Sequence, residues 1–203
     1  MLKLYHSNQS RSVRPRWLLE ELGVPYEVVR LDLHALEQKK PEYLKINPNG
    51  AVPALTDGDL AIFESGAIVQ YLADKFPEQR MAPPVGTPAR GLYYQWVHYA
   101  MSGLEPPILA IFLHTVLRPE AQRVPMLVTE ARQQLSGALG VVEQALAGRP
   151  FILGKDFTAA DVMVGSMLGW ARMMSIIGDE LKNVSDYVTR LSQRPAFARA
   201  TAD

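Results

Sequence analysis

Between Asn47 and Phe76 the chain reads NPNGAVPALTDGDLAIFESGAIVQYLADKF. Glu64, Ser65 and Gly66 stand where the apolar run Leu60–Phe63 gives way to Ala67, Ile68, Tyr71, Leu72 and Phe76 at helical spacing. A helix starting there offers unpaired backbone N–H groups and the positive end of its dipole, so Ser65 and its neighbours suit a carboxylate. Glu64 beside them suits an ammonium. The pair fits the α-amino and α-carboxylate ends of an amino acid or a γ-glutamyl group. Upstream, Val52-Pro53 enters a second apolar run at Ala54-Leu55. An X-Pro bond can be cis, which would turn the backbone of Val52 outward to pair with an extended peptide. Singly, these residues are an ordinary helix cap and a proline at a strand start. Their spacing, with the turn Thr56-Asp57-Gly58-Asp59 between them, is what points to a ligand.

NPNGAVPAL followed by ESGAIVQYL resembles the glutathione-binding half of the cytosolic glutathione transferases (GST), and the likeness runs over nearly all of the 203 residues. The resemblance implies glutathione as co-substrate, a homodimer, and Val52, Pro53, Glu64 and Ser65 as contacts of the tripeptide. It also implies a basic residue before the Val-Pro for the glycyl carboxylate, a place that Lys39 or Lys40 takes, with Asn49 as a polar neighbour.

Ser7, Asn8, Ser10 and Ser12 crowd the loop between the first strand and the first helix, where strand-to-helix units present ligand-binding groups. A free thiol has a pKa of about 8.5, and lowering it by ~2 units takes roughly 2.7 kcal/mol of preferential thiolate stabilisation. One charge-assisted hydrogen bond at ~1.5–3 kcal/mol and a helix N-terminus at ~0.3–1 kcal/mol come to about that much. A single hydroxyl therefore suffices, as a donor and not as a nucleophile. Ser10 is the favoured donor, then Asn8, then Tyr5 and Ser12. Arg11 lies near enough to stabilise the anion, and Ser12 and Arg11 join the expected glutathione contacts.

The elements that must position these groups follow from patterning. Leu2–Tyr5 reads as a strand. Val13, Trp17, Leu18 and Leu22 read as a helix closed by Gly23, and Tyr26–Leu31 as a second, parallel strand. With a short helix near Pro41–Lys45, the Ala54–Phe63 hairpin and a helix from Ser65, this is βαβαββα, a thioredoxin-like α/β domain over 1–77. PEQRMAPPVGTP, with its prolines, reads as a linker at 78–88. An all-α domain over 89–203 follows, with Pro106-Pro107 bending or breaking its first long helix. Thr158 and Asp161 form a capping box that is structural and not catalytic. Aromatic and methionine side chains in this half are mostly core; Tyr99, Met101, Phe112 and Met173 are the candidates for an apolar second-substrate pocket.

Lys+Arg and Asp+Glu both number 21, so no basic field recruits nucleic acid or an anionic membrane. The sequence shows no signal peptide and no uncharged apolar run of about 18 residues, which leads to an expectation of a cytoplasmic protein outside the membrane. Cysteine is absent, which removes disulfides, thiolate metal sites and a cysteine nucleophile. The four histidines lack metal-ligand spacing, so no metal is expected. The whole points to a transferase that conjugates the glutathione thiolate to a small hydrophobic electrophile, as in detoxification. The alternatives are a glutathione-dependent peroxidase, disulfide reductase or isomerase, and a non-catalytic glutathione-binding or regulatory protein.

Overall fold

Leu2, Leu4 and His6 alternate with Lys3 and Tyr5, and the strand they form, β1 (Leu2–His6), buries the first set completely or nearly so. In the computed structural model, which describes residues 1–202, β1 is a central strand. It pairs in parallel with β2 (Tyr26–Arg30) and antiparallel with β3 (Ala54–Asp57). β3 pairs antiparallel with β4 (Leu60–Phe63), giving the order β2-β1-β3-β4. The β3–β4 turn places its positive φ on Gly58. Between β1 and β2 runs α1 (Val13–Leu22), which ends on Gly23 in the left-handed region with its N–H donated to the Leu19 carbonyl. α2 (Pro41–Leu44) precedes β3, and α3 (Ser65–Lys75) follows β4. The thioredoxin-like layout is as expected. The difference lies at His6, which patterning assigned to the polar loop. It extends β1 and is fully buried, because its strand parity is that of Leu2 and Leu4.

Two compact units divide the chain, and their bounds correct the expected ones. The first comprises residues 1–82 together with those from Gln193 onward, and the second Pro83–Ser192. The final helix therefore belongs to the thioredoxin-like unit and not to the helical domain expected over 89–203. After the parallel and antiparallel strands are built, α1 still presents Glu20, Glu21 and Trp17 outward, and the last helix covers them. Arg194 donates from Nε and Nη2 to both Glu21 oxygens at 2.6 and 2.8 Å. Arg199 Nε reaches Glu20 at 2.6 Å. The ring of Phe197, on α9 (Pro195–Thr201), meets Trp17 edge-on at 4.8 Å. The linker expected at 78–88 is shorter than its prolines suggest. Pro77–Gln79 forms a 3-10 turn, and α4 (Pro88–Tyr99) already begins at Pro88, capped by the Thr87 hydroxyl accepting from the Arg90 N–H.

Pro106-Pro107 does not break the helix of the second unit. The chain widens to a π-helix over Ala100–Leu104, continues as α5 (Glu105–Phe112) and widens again over Leu113–Leu117. Prolines lack the N–H that an α-turn would use, and a wider turn just before them accommodates the missing bond. The resulting helix 88–117 contains an 18-residue window with a mean hydropathy of 1.4, enough by length and composition alone for a membrane span. It is not an uncharged run, since Arg90 and Glu105 lie within it. Its Tyr93, Trp96, Val97, Leu104, Ile108 and Ile111 are buried, as the side chains of a core helix are.

α6 (Pro125–Ala145), α7 (Ala159–Met173) and α8 (Lys182–Ser192) complete the second unit around one carboxylate. Asp161 is fully buried. Its Oδ1 accepts from the Ile152 N–H and the Tyr187 hydroxyl, each at 2.8 Å, and its Oδ2 from the Thr158 N–H at 2.8 Å and hydroxyl at 3.1 Å. Burial pushes the carboxyl up from its ordinary value, and these four donors pull it back. The residue ties the 151–158 loop, the start of α7 and α8 together, as its structural assignment requires. Asp161→Ala strands four buried donors and is expected to cost about 3–5 kcal/mol in urea unfolding, with glutathione affinity of the folded fraction unchanged.

Candidate functional site

The start of α3 is built around a backbone outlier. Glu64 has φ 73° and ψ 114°, in a region that favours glycine, and makes no side-chain cap. Holding a non-glycine residue there costs of order 1–3 kcal/mol, and such strain gathers at functional sites. The conformation leaves the Glu64 carboxylate exposed while the next residue, Ser65, is buried. Arg14, a buried arginine of α1, donates from Nη1 to the Ser65 Oγ at 2.9 Å. With a lone pair so occupied, the Ser65 hydroxyl keeps its proton for a further acceptor, beside the N–H groups that the first turn of a helix leaves without an intrahelical partner. The local result is a helix start with a hydroxyl on a buried cation and an exposed acidic side chain at its edge, a combination suited to a carboxylate and an ammonium.

The loop before β3 is held from behind. Val52-Pro53 is cis. Tyr43 donates its hydroxyl to the Ala51 carbonyl at 2.6 Å, and Asn47 Nδ2 donates to the same carbonyl at 2.7 Å. Burial pushes the Tyr43 phenol up to about 12, so it stays a donor. Lys39 Nζ donates to the Asn49 carbonyl at 3.1 Å. Gly50, at φ 56°, lies so close that a Cβ would stand 2.8 Å from Lys39 Nζ and 2.9 Å from the Gln38 carbonyl. Of the two lysines, then, only Lys39 is gathered to this loop. Lys40 pairs with Glu37 at 2.8 Å, as an exposed i,i+3 pair.

The loop of residues 7–12 hangs on His6. Ser10 Oγ lies 2.7 Å from Ser12 Oγ and donates to the Ser7 carbonyl at 2.6 Å. Ser12 Oγ lies 2.8 Å from His6 Nδ1 and accepts from the Ser7 N–H at 3.1 Å. On its other side, His6 Nε2 lies 2.8 Å from Asn8 Oδ1 and 3.1 Å from Nη1 of Arg16. Burial lowers the His6 pKa below the ordinary histidine value; Arg16 and Arg30 lower it further, against the Asn8 hydrogen bond that raises it.

This arrangement sorts the expected thiolate donors. Ser10 is half-buried and Asn8 exposed, both on the loop surface. Ser12 is fully buried, so its expected contact with the tripeptide is replaced by an internal role between Ser10 and His6. Tyr5 has the opposite strand parity to His6, and its ring packs on Tyr43 at 5.5 Å, away from the hydroxyl cluster. Arg11 is exposed beside Ser10.

The four side chains expected to line a second-substrate pocket do not share one local surface in the helical unit. Tyr99 turns to α6, where its hydroxyl donates to the Ala138 carbonyl at 3.3 Å, and stands edge-on to Trp96. Phe112 packs against Trp170 of α7 at 5.5 Å. Met101 is half-buried, and Met173 is 81% exposed. Among the described residues no group of three or more His, Cys, Asp or Glu is placed to hold a metal.

His6, Arg14, Arg16, Tyr43 and Asn47 hold the site residues, and none stood among the expected ones. Strand parity with Leu2 and Leu4 marks His6, and i,i+4 spacing to the buried Leu18 marks Arg14.

Residues 1–74 match the family model described as "Glutathione S-transferase, N-terminal domain", and residues 125–199 the one described as "Glutathione S-transferase, C-terminal domain". The chain is 32% identical to glutathione S-transferase F10 of Arabidopsis thaliana, over 100% of this chain and 97% of the relative. It superposes on the glutathione transferase URE2P6 of Phanerochaete chrysosporium, in complex with oxidized glutathione, with a TM-score of 0.88 and 32% identity, covering 98% of this chain and 94% of that one. It superposes on a theta class glutathione S-transferase of Xanthomonas axonopodis pv. citri with glutathione bound, with a TM-score of 0.87 and 31% identity, covering 100% and 97%.

A histidine whose pKa is lowered by folding takes up its proton in the unfolded chain first. Stability therefore falls as pH drops below the unfolded value of about 6.5 and stops falling below the folded pKa. Denaturant unfolding between pH 7.5 and 5 is expected to show this loss in the wild type and a shallower loss in His6→Asn.

Proposed function

The chain belongs to the glutathione S-transferase family, and on that premise we propose that it transfers the glutathione sulfur to a small hydrophobic electrophile. The observation that carries this reading is the α3 start, where Arg14 aims the Ser65 hydroxyl and Glu64 is held in a strained conformation beside it. In this reading Ser65 and the first N–H groups of α3 take the γ-glutamyl α-carboxylate, and Glu64 takes its ammonium. Val52 pairs with the cysteinyl backbone beside Pro53, while Lys39, with Asn49 at its side, faces the glycyl carboxylate. Lys40 is left out because Glu37 holds it.

In this reading the cysteinyl sulfur lies at the 7–12 loop. There Ser10 donates to the thiolate, with the dipole of α1 and the Arg11 charge in support. The thiolate attacks an electrophilic carbon; a C–S bond forms, the bond to the leaving group breaks, and the thiol proton passes to water. Holding both reactants together supplies proximity, and the lowered thiol pKa supplies nucleophile at neutral pH. Glutathione and the electrophile are the ligands, and a twofold homodimer is the proposed assembly.

The oxidized glutathione held by URE2P6 favours a second reading, in which bound glutathione thiolate attacks a disulfide. Without cysteine the protein itself would form no mixed disulfide, so glutathione would supply both sulfur equivalents.

Glutathione titration followed by thiolate difference absorbance, then turnover with an activated aryl chloride and with a small disulfide, separates these readings. Conjugation with release of chloride is expected. Ser65→Ala is expected to weaken glutathione binding by about 10- to 100-fold, the range for a hydrogen bond to a charged group, with little change in kcat. Binding without any turnover would replace the enzyme by a glutathione-binding protein.

A further inference from the structure

Ser10 and Asn8, the two loop groups able to face a thiolate, are tied to opposite nitrogens of one buried imidazole. Ser10 reaches Nδ1 of His6 through Ser12, and Asn8 meets Nε2 directly. A neutral imidazole donates at one nitrogen and accepts at the other, so the position of its single proton sets the direction of both chains. We propose that His6 is a positioning residue. Held by Arg16 as the Nδ1–H tautomer, it turns Ser12 and Ser10 into a row of donors ending at the bound thiolate, and it turns the Asn8 amide inward. The inference rests on the reading that glutathione sulfur lies at this loop.

Arg16 decides the tautomer. Its Nη1 is 3.1 Å from Nε2, both groups are buried, and a guanidinium has donors only. Nε2 must then offer a lone pair. Asn8 Oδ1, which lies 2.8 Å from Nε2 and by itself would take a proton from it, must then make a half turn: Nδ2 faces His6 and shares the single Nε2 lone pair with Arg16, and Oδ1 goes to the surface. Arg16 has no corresponding freedom. Arg16 from α1 and Arg30 from β2 are the charged groups that act on the ring, both cations, and with burial they keep it neutral.

From a bare Nε2 the rest follows. Nδ1–H donates to Ser12 Oγ, which also accepts the Ser7 N–H, so both Ser12 lone pairs are filled. The Ser12 proton then goes to Ser10 Oγ at 2.7 Å or to the Ser7 carbonyl at 3.0 Å. Ser10 Oγ also accepts the Ser12 N–H at 3.2 Å, and its own proton rests on the Ser7 carbonyl at 2.6 Å. When an anion arrives, Ser10 swings its proton from the Ser7 carbonyl outward and Ser12 keeps its own on Ser10 Oγ, so the row of donors runs unbroken from His6 to the anion. The Arg16 charge polarises each successive bond. The opposite tautomer would reverse the order. Ser12 would donate to Nδ1, and Asn8, accepting from Nε2–H, would present its Nδ2 as the outward donor.

Long-range proton–nitrogen correlation spectra of the free, labelled protein read the tautomer, with His6 assigned by its loss in His6→Asn. An unprotonated Nε2 supports the proposal, and an Nε2–H overturns it whether or not glutathione binds. With glutathione bound, the thiol ionisation constant is read from thiolate absorbance against pH. It is expected to fall about tenfold in His6→Leu, the loss of one charge-assisted hydrogen bond. It is expected to be largely restored in His6→Asn, whose amide can donate from the place of Nδ1, and to stay within about twofold in Asn8→Ala. Unchanged ionisation in His6→Leu, or loss of the thiolate in Asn8→Ala, overturns the proposal and leaves the transferase reading standing. Bound glutathione with no thiolate in the wild type overturns the transferase reading and this inference with it.

Discussion

Two arginines that α1 carries into the interior are the constraint on which the site depends. A buried guanidinium is costly unless it finds partners, and the partners here are Ser65 and His6, at the two places the proposed reading gives to the ligand. Arg14 is fastened to Ser65 at the start of α3, and Arg16 to His6 at the end of β1. The cations thus link three elements of the sheet unit, and they orient one hydroxyl at the carboxylate receptor and one imidazole behind the thiol loop. Substituting Ser65 or His6 removes a partner from a buried charge. α9 reinforces the arrangement from outside by clamping Glu20 and Glu21 of the same helix.

The peptide-binding half of the site was legible because its chemistry lies in consecutive residues. The Val-Pro bond, the hairpin and the Glu-Ser helix start are local motifs, and each appears where the spacing put it. The donor loop was legible only as a set of alternatives. Six consecutive polar residues look alike in sequence, and what separates Ser10 from Ser12 is burial beneath a histidine that patterning left in the loop. Lys39 and Lys40 likewise separate only through Glu37 and Gly50, neighbours that adjacency does not single out.

The helical half was legible as helices but not as a pocket. Heptad-like spacing finds α6 and α7, and the Thr158–Asp161 box finds the start of α7. No periodicity says that Tyr99 faces Ala138 or that Met173 stands in solvent. The return of Gln193 and later residues to the first unit was hidden for a similar reason. The bonds that draw the segment back, Arg194 to Glu21 and Arg199 to Glu20, join residues more than 170 positions apart. In the proposed reading the choice of electrophile belongs to this less legible half and glutathione recognition to the first.

The most direct test of the account is a titration of the labelled protein with glutathione, following backbone amide resonances. The account predicts that Ser65, Gly66 and Val52 shift together with a single dissociation constant, joined by the 7–12 loop, and that an analogue lacking the γ-glutamyl carboxylate fails to move Ser65 and Gly66. Saturable binding that leaves the start of α3 unmoved would contradict it, because the Arg14–Ser65 receptor would then have no ligand.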